Sequence, residues 1–160
     1  MNYDSQKLID MLTRHEGCVL TVYKDSLGID TIGIGRNLED RGISTTELQF
    51  LEYYDISEIY SGGGITENGA RYLLANDVAI IERELSAAHP CVELLSENRI
   101  IVLLNMAFNL GMPRLRTFYK TWDAIHKKDY DVAAEQMLDS RWAEQVKGRA
   151  TELADLMKVG

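Results

Sequence analysis

The spacing of apolar residues predicts one short β region early in the chain and helices almost everywhere after it. Apolar side chains recur at helical spacing over residues 4–16, and Gly17 follows as a stop signal. Four apolar or aromatic residues, two of them β-branched, are typical of a strand: Val19, Leu20, Val22 and Tyr23. Residues 25–35 intersperse three glycines with isoleucine and threonine, a pattern that predicts a turn, a strand and a second turn.

The rest of the chain has helical periodicity. A capping-box pattern of Ser44 and Glu47 opens a predicted helix that runs to Tyr60, where S-G-G-G at 61–64 breaks it. An almost wholly apolar helix over 98–110 is predicted to form the centre of the core. Further helices are predicted over 66–88, 115–127, 130–139 and 141–146, and from Gly148 onwards.

One β patch followed by many helices predicts an α+β fold. At 160 residues, a single domain that divides into two lobes is the expected organisation. We expect a small N-terminal lobe over about 14–65 and a connecting helix over about 66–88. A larger helical lobe over about 89–160 would include the N-terminal helix.

Charge and hydropathy narrow the classes of partner. The formal net charge of −8 argues against nonspecific binding to nucleic acid and against stable association with an anionic membrane. No apolar run reaches the ~18 residues of a membrane span, and no secretory signal is apparent. Neither of the two cysteines has the spacing of a metal site. No metal site is visible elsewhere in the sequence, and neither a metal nor a cofactor is expected.

Two carboxyl groups and a hydroxyl group are the candidate chemistry. Glu16 lies where the first helix ends, and the partial negative charge of that helix end favours the protonated carboxyl group that can donate a proton. Asp25 lies in the polar turn K-D-S-L-G and is expected to be an ionised carboxylate, with Thr31 placed to help it hold a water. Glycoside hydrolysis uses such a pair, although both residues are also common in purely structural helix ends and turns.

The stretch H-E-G…Y-K-D-S-x-G-x-x-T-I-G-I-G resembles the active-site region of the T-even phage lysozymes, glycoside hydrolase family 24. Further matches follow in order: G-I-T at 64–66, N-D-V at 76–78, N-M-A-F-N-L-G at 105–111 and S-R-W at 140–142. The resemblance extends from about residue 5 to residue 160. It implies a lysozyme-like fold and an inverting muramidase that cuts the β-1,4 bond between N-acetylmuramic acid and N-acetylglucosamine.

The resemblance also implies roles for the matching residues. Glu16 takes the position of the general acid, Asp25 that of the second carboxylate and Thr31 that of the neighbouring hydroxyl. Arg149 matches an arginine that reaches the general acid across a cleft between the lobes, so an Arg149–Glu16 ion pair is expected. The substrate contacts that it implies are Asn37, Phe108, Thr121 and Gln136.

Two departures from the family pattern change the expectations. Arg36 stands where the family has a histidine, and its expected partner is Asp77; because arginine does not titrate, this pair would not respond to pH. The acidic net charge differs from the basic family enzyme, so long-range attraction to an anionic cell wall should be weak.

These observations predict a monomeric, stand-alone phage endolysin acting on peptidoglycan. It would accumulate in the host cytoplasm and reach the periplasm after a holin has opened the membrane. A lytic transglycosylase and a noncatalytic wall-binding or structural module are the alternatives. Asp25 and Thr31 together argue against a transglycosylase, which needs no carboxylate to hold a water, and their presence beside Glu16 argues against a noncatalytic module.

Overall fold

A computed structural model describes all 160 residues, Met1–Gly160, and confirms the α+β class. A three-stranded antiparallel sheet lies among ten α-helical segments. The helical segments are α1 (Ser5–Glu16), α2 (Thr45–Phe50), α3 (Ile56–Glu58), α4 (Glu67–Ala88), α5 (Glu97–Leu110), α6 (Met112–Leu115), α7 (Tyr119–His126), α8 (Tyr130–Leu138), α9 (Arg141–Val146) and α10 (Gly148–Val159).

The strands of the sheet are β1 (Val19–Lys24), β2 (Asp30–Gly33) and β3 (Arg36–Asn37), and they lie side by side in that order. Thr31 lies in the central strand, with Tyr23 opposite it on β1 and Asn37 opposite it on β3. The sequence predicts a turn that ends at Gly35 and no strand after it. The two residues of β3 carry no β-branched side chain, so their pairing with β2 has no local signal.

The single helix predicted from Ser44 to Tyr60 is wrong, although its capping box is confirmed. The Ser44 N–H donates to Oε2 of Glu47 at 2.8 Å, and the Glu47 N–H donates to the Ser44 hydroxyl at 3.3 Å. The helix ends early because Glu52 adopts a positive φ of 63°. Asp55 then caps α3 by accepting the Ser57 N–H at 2.8 Å, and a π-helical turn covers Ile59–Gly63.

The long helix α4 and the central core helix α5 are confirmed. Pro90 opens a short 3-10 turn, Pro90–Leu94, between them. Helix α5 is buried almost all round, and its fully enclosed side chains include Ile100, Ile101, Leu103 and Met106. The helix predicted over 115–127 is shorter in the structure, where α7 covers Tyr119–His126, and the separate segment α6 ends at Leu115. No helix combines the length and hydropathy that a membrane span requires.

The chain divides into two compact units. We call residues Gln6–Ala79 the sheet unit, and Met1–Ser5 with Ile80–Gly160 the helical unit. The division falls inside α4 and assigns nearly all of α1 to the sheet unit. The expectation from the sequence, which places this N-terminal helix in the larger helical lobe, stays a prediction.

Candidate active site

The carboxylate of Asp25 is fixed by the turn that follows β1. Its Oδ1 accepts the backbone N–H groups of Leu27 at 2.8 Å and of Ile29 at 2.9 Å. The turn is closed by the Asp25 N–H, which donates to the Ile29 carbonyl at 3.0 Å. None of these bonds uses Oδ2 of the half-buried side chain. One oxygen therefore orients the carboxylate while the other is available to a ligand.

The hydroxyl of Thr31 is tied to the same turn. Its Oγ1 donates to the carbonyl of Ile29 at 3.1 Å, and the side chain is buried. Ile29 thus bonds Asp25 through its N–H and Thr31 through its C=O. Since the hydroxyl proton is used for Ile29, the oxygen of Thr31 can bond a further partner only as an acceptor.

Glu16 is the last residue of α1 and is half-buried. The helix stops there because Gly17, with a φ of +73°, turns the chain after its N–H has bonded the Thr13 carbonyl at 3.0 Å. Burial raises the pKa of the Tyr23 phenol, and the negative charges of Glu16 and Asp25 raise it further. Both carboxyl groups therefore lie close to one phenol.

Asn37 is brought beside Thr31 by the pairing of β2 and β3. Its side-chain Oδ1 accepts the backbone N–H groups of Glu39 and Asp40, each at 2.9 Å, so it shapes the turn after β3. A contact between Asn37 and substrate stays a prediction.

Arg36 is buried and uses all five of its side-chain N–H groups. Nε donates to Oδ2 of Asp77 at 2.8 Å, the contact expected from the sequence. Nη1 donates to the Gly42 carbonyl at 3.0 Å and to Oε2 of Glu47 at 3.2 Å. Nη2 donates to Oε1 of Glu47 at 2.8 Å and to the Leu73 carbonyl at 2.9 Å. Five bonds satisfy the five donors of the guanidinium, so β3 is fixed to both α2 and α4.

The buried guanidinium of Arg36 bonds the carboxylates of Glu47 and Asp77, and the pKa values of these two groups shift in opposite directions. For Glu47, burial alone would raise the pKa, but hydrogen bonds from Arg36, Asn76 and Ser44 outweigh it and lower the pKa to about 2. For Asp77, burial raises the pKa more than Arg36 lowers it, and its Oδ1 has no hydrogen-bond partner. Asp77 is therefore the first of the two to take up a proton.

Sequence reasoning identified Glu47 as a capping residue and missed its second role as a partner of Arg36. The capping-box pattern was the only local signal. The bond to Arg36 joins residues eleven positions apart in different elements, so a helix pattern does not reveal it.

The remaining predicted substrate contacts lie in the helical unit. Thr121 and Gln136 line one cavity of about 430 Å³, whose walls also carry the cationic side chains of Arg114, Lys120 and Arg141. Phe108 is half-buried on α5 and is not among the residues that line this cavity.

Arg149 donates Nε–H to Oδ1 of the buried Asn105 at 2.9 Å, which orients its guanidinium. The expected ion pair between Arg149 and Glu16 stays a prediction.

No three His, Cys, Asp or Glu side chains come together as a group that could hold a metal ion. The chemistry available in the sheet unit is instead that of two carboxyl groups and a hydroxyl. One carboxyl group lies at a helix end and the other is a carboxylate held by backbone N–H groups. Hydrolysis of a glycosidic bond uses two carboxyl groups in this way, one as acid and one as base.

Comparison with known proteins shows the family of this chain. The sequence matches the phage lysozyme family over residues 13–158, and the chain belongs to that family. It is similar to probable T4-type lysozymes 1 and 2 of Dictyostelium discoideum, at 25% and 27% identity. These matches cover 94% and 96% of this chain, and 93% and 94% of the relatives. Family membership and these relatives support a lysozyme-like function.

A third relative is much longer than this chain. The pre-baseplate central spike protein Gp5 of Enterobacteria phage T4 is 28% identical over 98% of this chain. This chain spans 28% of the length of that protein.

Proposed function

We propose that this protein is a muramidase, which hydrolyses the β-1,4 bond between N-acetylmuramic acid and N-acetylglucosamine in peptidoglycan. The observation that carries the proposal is the joint attachment of Asp25 and Thr31 to the backbone of Ile29. Glu16 supports it, because its charge acts on the same phenol as that of Asp25. Membership of the phage lysozyme family supports the reaction class.

The proposed reaction begins with Glu16. Its carboxyl group gives a proton to the glycosidic oxygen as the bond from that oxygen to the sugar C1 breaks. A water held by Oδ2 of Asp25 and by Oγ1 of Thr31 attacks C1 from the opposite face. Asp25 accepts the proton that the water loses, and its charge stabilises the oxocarbenium-like transition state.

Attack from the opposite face inverts the configuration at C1. That geometry needs the two carboxyl groups roughly 6.5–9.5 Å apart, which leaves room for a water between the base and the sugar. A retaining enzyme would use a carboxylate in direct contact with C1. The hydroxyl of Thr31 favours the water mechanism, since an acceptor beside Asp25 helps to orient a water.

The stereochemistry of the first product tests this mechanism. Proton NMR of a peptidoglycan oligosaccharide during the first minutes of digestion should detect the α-anomer. A β-anomer would contradict inversion. A 1,6-anhydro sugar would instead identify a lytic transglycosylase.

We further propose that the protein is a monomeric endolysin that lyses the host cell from within. It would accumulate in the host cytoplasm and reach the periplasm through a lesion made by a holin. Expression in a bacterial host with and without a holin tests this step. Lysis only when the holin is present supports the proposal, and lysis without it contradicts the requirement.

A structural, noncatalytic role is the second candidate, and the similarity to a protein named as a central spike favours it. The two candidates differ in one measurable property, which is hydrolysis of peptidoglycan by the purified chain. Turnover that depends on Glu16 would support the muramidase, whereas wall binding without turnover would support the structural role.

A further inference from the structure

We propose that Tyr23 is a substrate-contacting residue of the active site, whose phenol O–H donates a hydrogen bond to an oxygen of the sugar bound between Glu16 and Asp25. This inference rests on the proposed muramidase function. Three observations carry it: the position of Tyr23 in the sheet, the charges around its phenol, and the absence of a bond from that phenol to either carboxylate.

The sheet places Tyr23 among the proposed catalytic residues. Its Cα is the cross-strand partner of Thr31, and directly opposed residues project their side chains from the same face of a sheet. Asp25 lies one residue beyond the end of β1, in the turn closed by the bond from its N–H to the Ile29 carbonyl, and its charge acts on the phenol of Tyr23. The phenol therefore shares a face of the sheet with Thr31 and lies near the carboxylate of Asp25.

Burial and the charges around the phenol of Tyr23 keep it protonated. Tyr23 is half-buried, and burial, Glu16, Asp25 and Cys18 raise its pKa in that order. Each influence disfavours the phenolate, so the phenol keeps its proton throughout the neutral range. Tyr23 is consequently a hydrogen-bond donor and is unsuited to act as a base.

The phenol O–H of Tyr23 makes no hydrogen bond to the carboxyl groups near it. The charges of Glu16 and Asp25 act on Tyr23, but neither carboxyl group accepts a hydrogen bond from the phenol. Tyr3 provides the contrast in the same chain, because its phenol donates to Oε2 of Glu82 at 3.4 Å. Sugar hydroxyl, acetamido and glycosidic oxygens are all acceptors. A sugar placed between Glu16 and Asp25 would offer the phenol the acceptor that it lacks.

Tyr23→Phe tests the proposal, because it removes the O–H and keeps the ring. We expect kcat/KM on a soluble peptidoglycan oligosaccharide to fall about 10-fold, mostly through KM, as for the loss of one hydrogen bond to substrate. Melting temperature and circular dichroism should be unchanged. Tyr3→Phe is the matched control, since it also removes a phenol beside a carboxylate, and its kinetics should equal those of the parent.

Binding provides a second measurement that does not depend on turnover. In the Glu16→Gln background, a tetrasaccharide of alternating N-acetylglucosamine and N-acetylmuramic acid should bind about 10-fold more weakly when Tyr23→Phe is added. In NMR spectra of tyrosine-labelled Glu16→Gln protein, the ring signals of Tyr23 should shift on addition of this tetrasaccharide, and those of Tyr3 should not.

The outcomes separate this inference from the proposed function. If Glu16→Gln is inactive but Tyr23→Phe matches the parent in kinetics and binding, and its ring signals do not shift, the role of Tyr23 is refuted and the muramidase stands. If the parent itself does not cleave the oligosaccharide, the proposed function fails, and the inference fails with it.

Discussion

The guanidinium of Arg36 donates its Nε–H to Oδ2 of Asp77 at 2.8 Å, and this bond fixes β3 to α4 inside the sheet unit. A histidine at this position would lose or gain charge near neutral pH, whereas arginine does not. The same guanidinium bonds Glu47 on α2. The strand next to Thr31 is therefore anchored by a cation that does not titrate near neutral pH.

Replacing Arg36 with alanine should destabilise the protein severely. The substitution leaves Glu47 buried without its cation and leaves Asp77 with only Arg41, at 4.0 Å. Breaking a buried ion pair in this way costs about 3–5 kcal/mol. Urea unfolding of Arg36→Ala measures the loss. Arg71→Ala is the control, because Arg71 pairs with Asp10 on the surface and such pairs contribute less than about 1 kcal/mol. Equal losses in the two variants would contradict the account of the buried network.

The contribution of Glu47 to stability should disappear in acid. Its pKa is about 2 in the folded chain against an ordinary value of 4.5, so the unfolded chain takes up the proton first as the pH falls. Glu47 makes its full contribution to the free energy of unfolding above pH 4.5, and this contribution is lost as the pH falls towards 2. Glu47→Gln should be less stable than the parent at pH 7 by an amount on the order of 3 kcal/mol.

Urea unfolding of the parent and Glu47→Gln between pH 7 and pH 2.5 measures this dependence. The difference between their free energies of unfolding should shrink steadily below pH 4.5. Asp77 acts in the opposite sense, because burial raises its pKa and the charge of Glu47 raises it further. Repeating the comparison in the Asp77→Asn background removes this contribution from both proteins. A difference that does not change with pH would contradict the role given to Glu47.

Asp25→Asn should abolish activity while preserving the fold. Asparagine keeps an Oδ1 that can accept the N–H groups of Leu27 and Ile29, so the turn should survive. Its amide nitrogen replaces the Oδ2 that would take a proton from water. We expect kcat to fall by about 10²–10⁴, the usual contribution of a general base. Activity near that of the parent, with an unchanged melting temperature, would remove Asp25 from the mechanism.

The capping box of α2 can be tested with two serines that both precede helices. The Ser44 side chain accepts a backbone N–H, whereas the Ser96 side chain at the start of α5 makes no cap bond and its Oγ is buried without a partner. Ser44→Ala should cost about 1 kcal/mol, and Ser96→Ala should cost almost nothing. Thermal unfolding of both variants gives the comparison, and a larger loss in Ser96→Ala would be inconsistent with it.

Local patterns predicted the parts of the fold that local interactions determine. The apolar helix α5, the capping box at Ser44 and the stop at Gly17 depend on residues within a few positions of each other. The strand β3 and the break at Glu52 could not be predicted in this way. The first depends on pairing with β2, and the second on a positive φ at a residue type that rarely adopts one.

The same distinction between local and longer-range interactions applies to the candidate site. Motif resemblance identified Glu16, Asp25 and Thr31 from the sequence. It did not reveal that Ile29 joins the last two through its backbone, because that link depends on how the turn closes. The role that we propose for Tyr23 has no signal in the local sequence either, since its apolar neighbours mark it only as part of a strand.

The most direct test of the central claim is the loss of turbidity of Gram-negative cells whose outer membrane has been permeabilised. The parent and Glu16→Gln are compared at several pH values, with circular dichroism as the check on folding. The account predicts that the parent lyses the cells at one or more of these pH values and that folded Glu16→Gln lyses them at none. Lysis by Glu16→Gln at the parent's rate, or no lysis by the folded parent, would contradict it.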